Sequence, residues 1–207
     1  GSYTGVNLTD AAQRQTMIAG AVTTGKLVKK LGGTVIVIGP NGVPRQGYDF
    51  AANKANIVTA LNEVGKALTD LGLTPALHQH TGTCVETRDE TYAVMEAVDT
   101  RVMKFGPDIG QLQKGGADPV KVVKDFLSIV HHVHLKDFNG GEAFLGYSPL
   151  GQGKVDLPAI LAMMNGKKMD GMVMVELDSS PNQPIAPKET ASIAKAYLQK
   201  QGVALRA

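Results

Sequence analysis

Three of the five histidines fall within four positions of the run VHHVHLKD, residues 130–137, and a lysine and an aspartate follow. In an extended chain alternate residues share a face, so His132, His134 and Lys136 point one way and His131, Val133, Leu135 and Asp137 the other. Three more runs end in polar groups of the same kind. PALHQH (75–80) carries His78 and His80, with Glu86 beyond it; RVMKFGPD (101–108) ends on Asp108; GMVMVELD (171–178) carries Glu176 near its end. A carboxylate inside an apolar run such as MVMVELD is costly to bury unless it is paired or bound to a cation. Two carboxylates, a third acid and an imidazole make a donor set suited to Mn²⁺, Mg²⁺, Co²⁺ or Zn²⁺. A divalent ion held that way polarises a carbonyl or hydroxyl while a neighbouring base moves a proton. The plain alternatives are an ion pair for Glu176 and hydrogen-bonded core roles for the histidines.

The elements that must position these groups alternate. A helix is expected from Thr9, with Met17, Ala21, Val28 and Leu31 on one face and Gly32-Gly33 ending it. TVIVIG (34–39) reads as a strand buried on both faces. A second helix spans about 56–71, with Leu61, Val64, Leu68 and Leu71 on one face, and PALHQH follows as a strand. Thr87 and Glu90 form a capping box for a helix carrying Val94, Met95 and Val98, and RVMKFGPD is the next strand. Asp118-Pro119 starts another helix, VHHVHLKD is a strand, and Asp156 precedes a further helix. GMVMVELD is the last strand, and a helix near 187–201 closes the order. Such alternation predicts parallel strands with helical crossovers, hence a doubly wound sheet or a (β/α) barrel. Reactive groups at the C-terminal ends of several strands favour the barrel.

The bulk properties exclude several functions. Lys and Arg number 21 against 19 Asp and Glu, a net charge of +2 with no block of like charge, so neither a nucleic-acid groove nor an anionic membrane surface is expected. Cys84 is the single cysteine, which excludes an internal disulfide and a cysteine-based zinc cluster. No run reaches the length of a membrane span. The compartment stays open: the cytoplasm is favoured, and a secretory leader on a preceding segment is compatible. GGADP and PLGQG lack the strand-before, helix-after context of a nucleotide fingerprint and read as turns. Cys84 and the eight methionines read as packing residues.

HQHTGTCVET (78–87), PDIGQLQKGGADP (107–119), HVHLKD (132–137), PLGQGKVD (149–156) and VMVELD (173–178) together resemble the xylose-isomerase-like TIM-barrel superfamily, in its sugar phosphate isomerase/epimerase group. The resemblance runs in order over roughly residues 1–200. It implies a single domain over 1–207 and a (β/α)8 barrel, of which this chain reads as lacking the N-terminal two or three βα units, since five strands are clear and GSY is the tail of a sixth. It implies a metal held by Glu86, Asp108, His134 and Glu176, with Mn²⁺ favoured. Glu86 and Glu176 would be an acid–base pair on opposite faces of the substrate carbon. His80 and His78 would lie beside the metal or sugar oxygens, with His132 and Gln111 also toward the substrate, and Lys136 would stabilise an enediolate oxygen.

The chain departs from the family pattern at Gln111 and at residues 138–141. Gln111 stands where Asp-Thr-Gly-His has histidine, and an amide cannot carry a proton as an imidazole does. Phe138-Asn139-Gly140-Gly141 occupies the region where epimerases place an arginine. The resemblance implies a metal-dependent enzyme that abstracts a proton α to a carbonyl of a sugar, keto-sugar or cyclitol, ending as isomerase, epimerase or dehydratase/lyase, with a lean to the last. The alternatives are a non-catalytic sugar-binding or scaffold subunit on the same barrel, and a zinc-dependent endonuclease-like hydrolase. The expected partner is a small-molecule sugar or cyclitol, with a homo-oligomer or a missing N-terminal segment completing the barrel.

Overall fold

The computed structural model describes residues 2–168, 171–178 and 183–204; Gly1, where the GSY strand tail opens, lies outside them. The elements run β1 (Ser2–Val6), α1 (Arg14–Lys30), β2 (Val35–Pro40), α2 (Phe50–Asp70), β3 (Thr74–Leu77), α3 (Arg88–Met95), β4 (Lys104–Phe105), α4 (Ile109–Lys114), α5 (Pro119–Asp125), β5 (Val133–Leu135), β6 (Asp137–Phe138), β7 (Tyr147–Ser148), α6 (Leu157–Met164), β8 (Val173–Val175) and α7 (Pro187–Lys200). Short 3-10 turns at Ala11–Gln13, Leu127–Ile129 and Ala143–Gly146 fill some of the connections.

β1, β2, β3 and β4 pair in that order, all parallel. Single parallel bridges, Phe105 to Val130 and Asp108 to His134, carry the arc on to β5, and β5 pairs with β8 in parallel. Six parallel strands therefore form one curved wall, with β1 and β8 at its two ends. Ile36, Ile38, Leu77, Phe105, Val133 and Leu135 are buried in a continuous apolar cluster with Ile57, Leu61, Val64 and Leu68 of α2. That fixes the outer, helix-facing side of the wall. By alternation Gly39, His78, His134 and Lys136 lie on the inner side.

Element boundaries shift from the sequence expectation for local reasons. α1 starts at Arg14 because Asp10 caps the 3-10 turn ahead of it, accepting from Ala12 N, and Leu31 is 78% exposed beyond the helix end. α2 starts at Phe50, where Asp49 accepts from Ala52 N; the buried positions that reveal its period begin only at Ile57. β4 is two residues long, since Pro107 has no amide hydrogen to continue the ladder and Asp108 turns to cap α4. VHHVHLKD is not one strand: β5 ends at Leu135, and Asp137 and Phe138 pair antiparallel with Ser148 and Tyr147. The capping box at Thr87 and Glu90 and the Asp118-Pro119 and Asp156 helix starts are formed as expected.

Candidate metal and acid–base site

Four strand ends bring their polar groups to one point on the inner side of the wall. Ligand atoms of His78, after β3, Asp108, after β4, and His134, in β5, all lie within 4.8 Å of one another. Glu176, just past β8, brings Oε2 against His134 Nδ1, and His134 Nδ1 is 3.9 Å from Asp108 Oδ2. The bridge between Asp108 and His134, closed by His134 N donating to Pro107 O at 2.9 Å, sets two of these residues side by side. The His78 and His134 rings are 4.5 Å apart, centroid to centroid.

Within this cluster His78 Nδ1 is buried with no hydrogen-bond partner, while Asp108 Oδ2 faces Lys136 Nζ and Glu176 Oε2 faces His134 Nδ1. A buried imidazole nitrogen is rarely left without a partner, and one set among a second imidazole and two carboxylates is an arrangement that could hold a cation. Two imidazole nitrogens and two carboxylate oxygens suit a divalent ion of borderline hardness. Burial, helped by the nearby His134, holds His78 well below 6.5, so its imidazole is neutral and its lone pair is free to bind. Asp108 divides its work: Oδ1 accepts from Gln111 N at 3.0 Å to cap α4, which fixes the carboxylate and turns Oδ2 toward Lys136 and the cluster.

Lys136 is fully buried beside this cluster. Its Nζ lies 2.7 Å from Asp108 Oδ2, 3.3 Å from Glu176 Oε1 and 3.1 Å from Asp178 Oδ2. Its stem runs over Gly110, where a Cβ would come within 2.7 Å of Lys136 Cγ. The ring of Tyr147 stands 4.9 Å from the ammonium. Burial alone would lower the ammonium, but the three facing carboxylates outweigh it and raise it above the ordinary lysine value, so it is a fixed positive charge. Burial would likewise raise Glu176, yet the adjoining His134 and Lys136 bring it down to about 2, and it is a carboxylate at any ordinary pH.

The other expected site residues fall elsewhere. Glu86 is not among the convergent ligand atoms: its Oε2 accepts from Gly82 N and sits 3.5 Å from Arg45 Nε, in the loop beyond β3. That loop carries Glu86 past the strand end, whereas His78, the first residue after β3, occupies the inner position at the cluster. Strand alternation in PALHQH marks it, since Ala76 and His78 share the inner face; the family resemblance sets it beside the metal rather than among its ligands. His132 lies below the cluster, buried, with Nδ1 accepting from Met172 N at 3.3 Å and burial bringing it down to about 4, which is a supporting role. His80 uses both ring nitrogens, Nδ1 toward Thr81 O at 2.7 Å and Nε2 toward Gln111 Nε2 at 2.8 Å. Gln111 Oε1 accepts from Thr81 Oγ1 at 2.7 Å, and Nε2 also donates to Asp178 Oδ2 at 3.1 Å.

Asp178 and Asp137 were not anticipated. Asp178 lies two residues beyond Glu176, as Lys136 lies two beyond His134, so the same alternation marks it. Asp137 is buried and accepts from Phe138 N, Gly151 N, Gly153 N and Val155 N at 2.8–3.2 Å, which folds the PLGQG loop around it. Gly153 has to be glycine here, because a Cβ would lie 2.1 Å from Asp137 Oδ1. Cys84 is buried and its thiol is pushed up to about 12 by that burial, which leaves it unreactive.

Parallel strands with helical crossovers and polar groups gathered at the strand C-termini define a TIM-barrel architecture. The family model of the xylose isomerase-like TIM barrel matches residues 1–201, and the chain belongs to that family. Among curated proteins it is 27% identical to an inosose dehydratase of Clostridium botulinum, over 83% of this chain and 66% of that protein. It is 26% identical to an inosose dehydratase of Geobacillus kaustophilus, over 70% of this chain and 52% of that protein. The chain thus spans about two thirds or less of these relatives. Among solved structures it resembles an IOLI protein with a bound zinc atom, with a TM-score of 0.77 at 19% identity over 97% of this chain and 75% of that one. It also resembles a probable 3-DHS dehydratase, AsbF, from Bacillus anthracis, with a TM-score of 0.74 at 15% identity over 99% of this chain and 77% of that one.

Proposed function

We propose that this chain carries the metal and acid–base centre of an enzyme that removes a proton α to the carbonyl of a keto-sugar or keto-cyclitol and expels the β-hydroxyl as water. The convergence of ligand atoms of His78, Asp108 and His134 within 4.8 Å, with Glu176 Oε2 against His134 Nδ1, carries this reading, since these four residues would hold a divalent metal. Mn²⁺ is the favoured ion, with Zn²⁺, Co²⁺ and Mg²⁺ as competitors. When bound, such an ion supplies Lewis-acid polarisation of the substrate carbonyl.

The protein's own residues divide the remaining work. Glu176 Oε1, turned toward Lys136 rather than into the cluster, takes the α-proton. Lys136, held as an ammonium, stabilises the negative charge that develops on the carbonyl oxygen as the C–H bond breaks. The β C–O bond then breaks, and the leaving hydroxyl takes a proton from the same acid–base pair to depart as water. Epimerisation by two glutamates needs the second on the opposite face, and Glu86 is tied instead to Gly82 and Arg45. One carboxylate base beside one fixed ammonium therefore favours elimination, in keeping with the names of the curated relatives. An endonuclease-like hydrolase with several zinc ions is disfavoured by the near-balanced charge and by the single group of convergent ligands among the described residues.

The test is proton exchange followed by NMR. With Mn²⁺ and an inosose in D₂O, the protein is expected to exchange the α-hydrogen and form the dehydrated ketone, and Glu176→Gln to lower the rate by about a hundredfold or more. Exchange that is unchanged in Glu176→Gln would contradict the reading.

A further inference from the structure

Lys136 faces three carboxylates, but two of them belong to the donor cluster. Asp108 and Glu176 together carry two negative charges, which a divalent cation would neutralise, and that cation would itself repel an ammonium a few ångströms away. Among the described residues, the remaining counter-charge for Lys136 is Asp178, whose Oδ2 is 3.1 Å from Nζ. Asp178, unlike Glu176, makes its contacts with Lys136 and Gln111 and not with a histidine of the donor cluster. The same oxygen is also held from the other side by Gln111 Nε2 at 3.1 Å.

Gln111 is itself anchored on all sides. Its Oε1 accepts from Thr81 N and Thr81 Oγ1, which fixes the amide orientation, and its two N–H groups are spent on His80 Nε2 and Asp178 Oδ2. An amide at this position brings a donor without a charge, so Lys136 stays the cationic partner of Asp178 Oδ2. A protonated imidazole there would compete for it.

On this geometry we propose that Asp178 is the positioning residue for Lys136, holding the ammonium over the donor cluster against the repulsion of a bound cation, with Gln111 as its anchor. The inference rests on the proposed function for the metal and for the role of Lys136. It adds that Asp178 acts through Lys136 rather than as a ligand or a base.

A double-mutant cycle tests it. Mn²⁺ affinity and α-proton exchange of an inosose are measured for the wild type, Asp178→Asn, Lys136→Met and the double variant. Saturable Mn²⁺ binding by the wild type that Asp108→Asn abolishes establishes the donor cluster, and its absence would sink the functional reading together with this inference. Given binding, Asp178→Asn is expected to retain Mn²⁺ affinity within about tenfold while kcat for exchange falls by about tenfold or more with KM little changed. In the Lys136→Met background, where there is no ammonium left to hold, the same substitution is expected to change kcat by less than about twofold. An equal loss in both backgrounds, or no loss in either, would overturn the inference while leaving the metal reading standing. Loss of Mn²⁺ binding in Asp178→Asn would overturn it as well, by making Asp178 a ligand.

Discussion

His78 and Glu86 lie eight residues apart in HQHTGTCVET and end in different surroundings, because a strand end is a defined position and a loop is not. His78 directly follows Leu77, whose outward side chain forces the next one inward. Glu86 follows a turn at Gly82 and is captured by the nearest donors, Gly82 N and Arg45. Residue type was legible in the sequence at Asp108, His134 and Glu176, and strand spacing placed them. The choice between His78 and Glu86 depended on the path of the intervening loop, which periodicity does not report. The same holds for Asp137, three of whose four acceptor bonds come from a glycine-rich loop that looked like simple turn chemistry. Asp137→Ala would remove the acceptor of four amides, of which that of Val155 is buried, and a loss of about 2 kcal/mol in urea unfolding is expected. A change under about 0.5 kcal/mol would mean that the loop does not depend on that carboxylate.

Among elements, the helix starts were read best where a cap and the apolar period begin together, as at Thr87, Asp118 and Asp156. They were read worst at α2, whose first turns are largely solvent-facing and carry no periodic signal. Asp49 marks the true start by accepting from Ala52 N at 3.0 Å. Asp49→Ala is expected to cost about 1 kcal/mol, measured as a shift in the urea midpoint at constant slope. No shift would place the start of the helix inward, nearer Asn56. Strand ends were overestimated for a common reason: at β4, β5 and β8 the last polar residues leave the ladder to turn toward the cluster or into a loop. The residues that continue each apolar run are thus the ones where the ladder thins to single links, as at Asp108 with His134 and at Glu176 N with Leu135 O, and they face the site.

At the scale of the whole molecule, the alternation of strands and helices was legible from the apolar runs, apart from α4 and the β6–β7 pair, and the barrel class from the polar groups at the strand ends and the family resemblance. How the wall's two ends, β1 and β8, are covered was not legible, since neither edge carries a pattern naming its neighbour. The buried inner histidines give the fold a pH dependence. The folded form of His132 titrates at about 4 and the unfolded form near 6.5, so between those values the unfolded chain binds more protons. The stabilisation from keeping this ring neutral is therefore complete above about 6.5 and is lost as the pH falls toward 4, amounting to about 3 kcal/mol. Urea midpoints should drop through that window in the wild type and drop less in His132→Gln. A parallel fall in both would assign the acid sensitivity to other groups.

The central claim is that His78, and not Glu86, completes the set with Asp108, His134 and Glu176. Calorimetric titration with Mn²⁺ or Zn²⁺ tests it directly. His78→Ala is expected to weaken binding by about a hundredfold or more, while Glu86→Gln stays within about threefold of the wild type. Strong binding in His78→Ala together with its loss in Glu86→Gln would contradict the account.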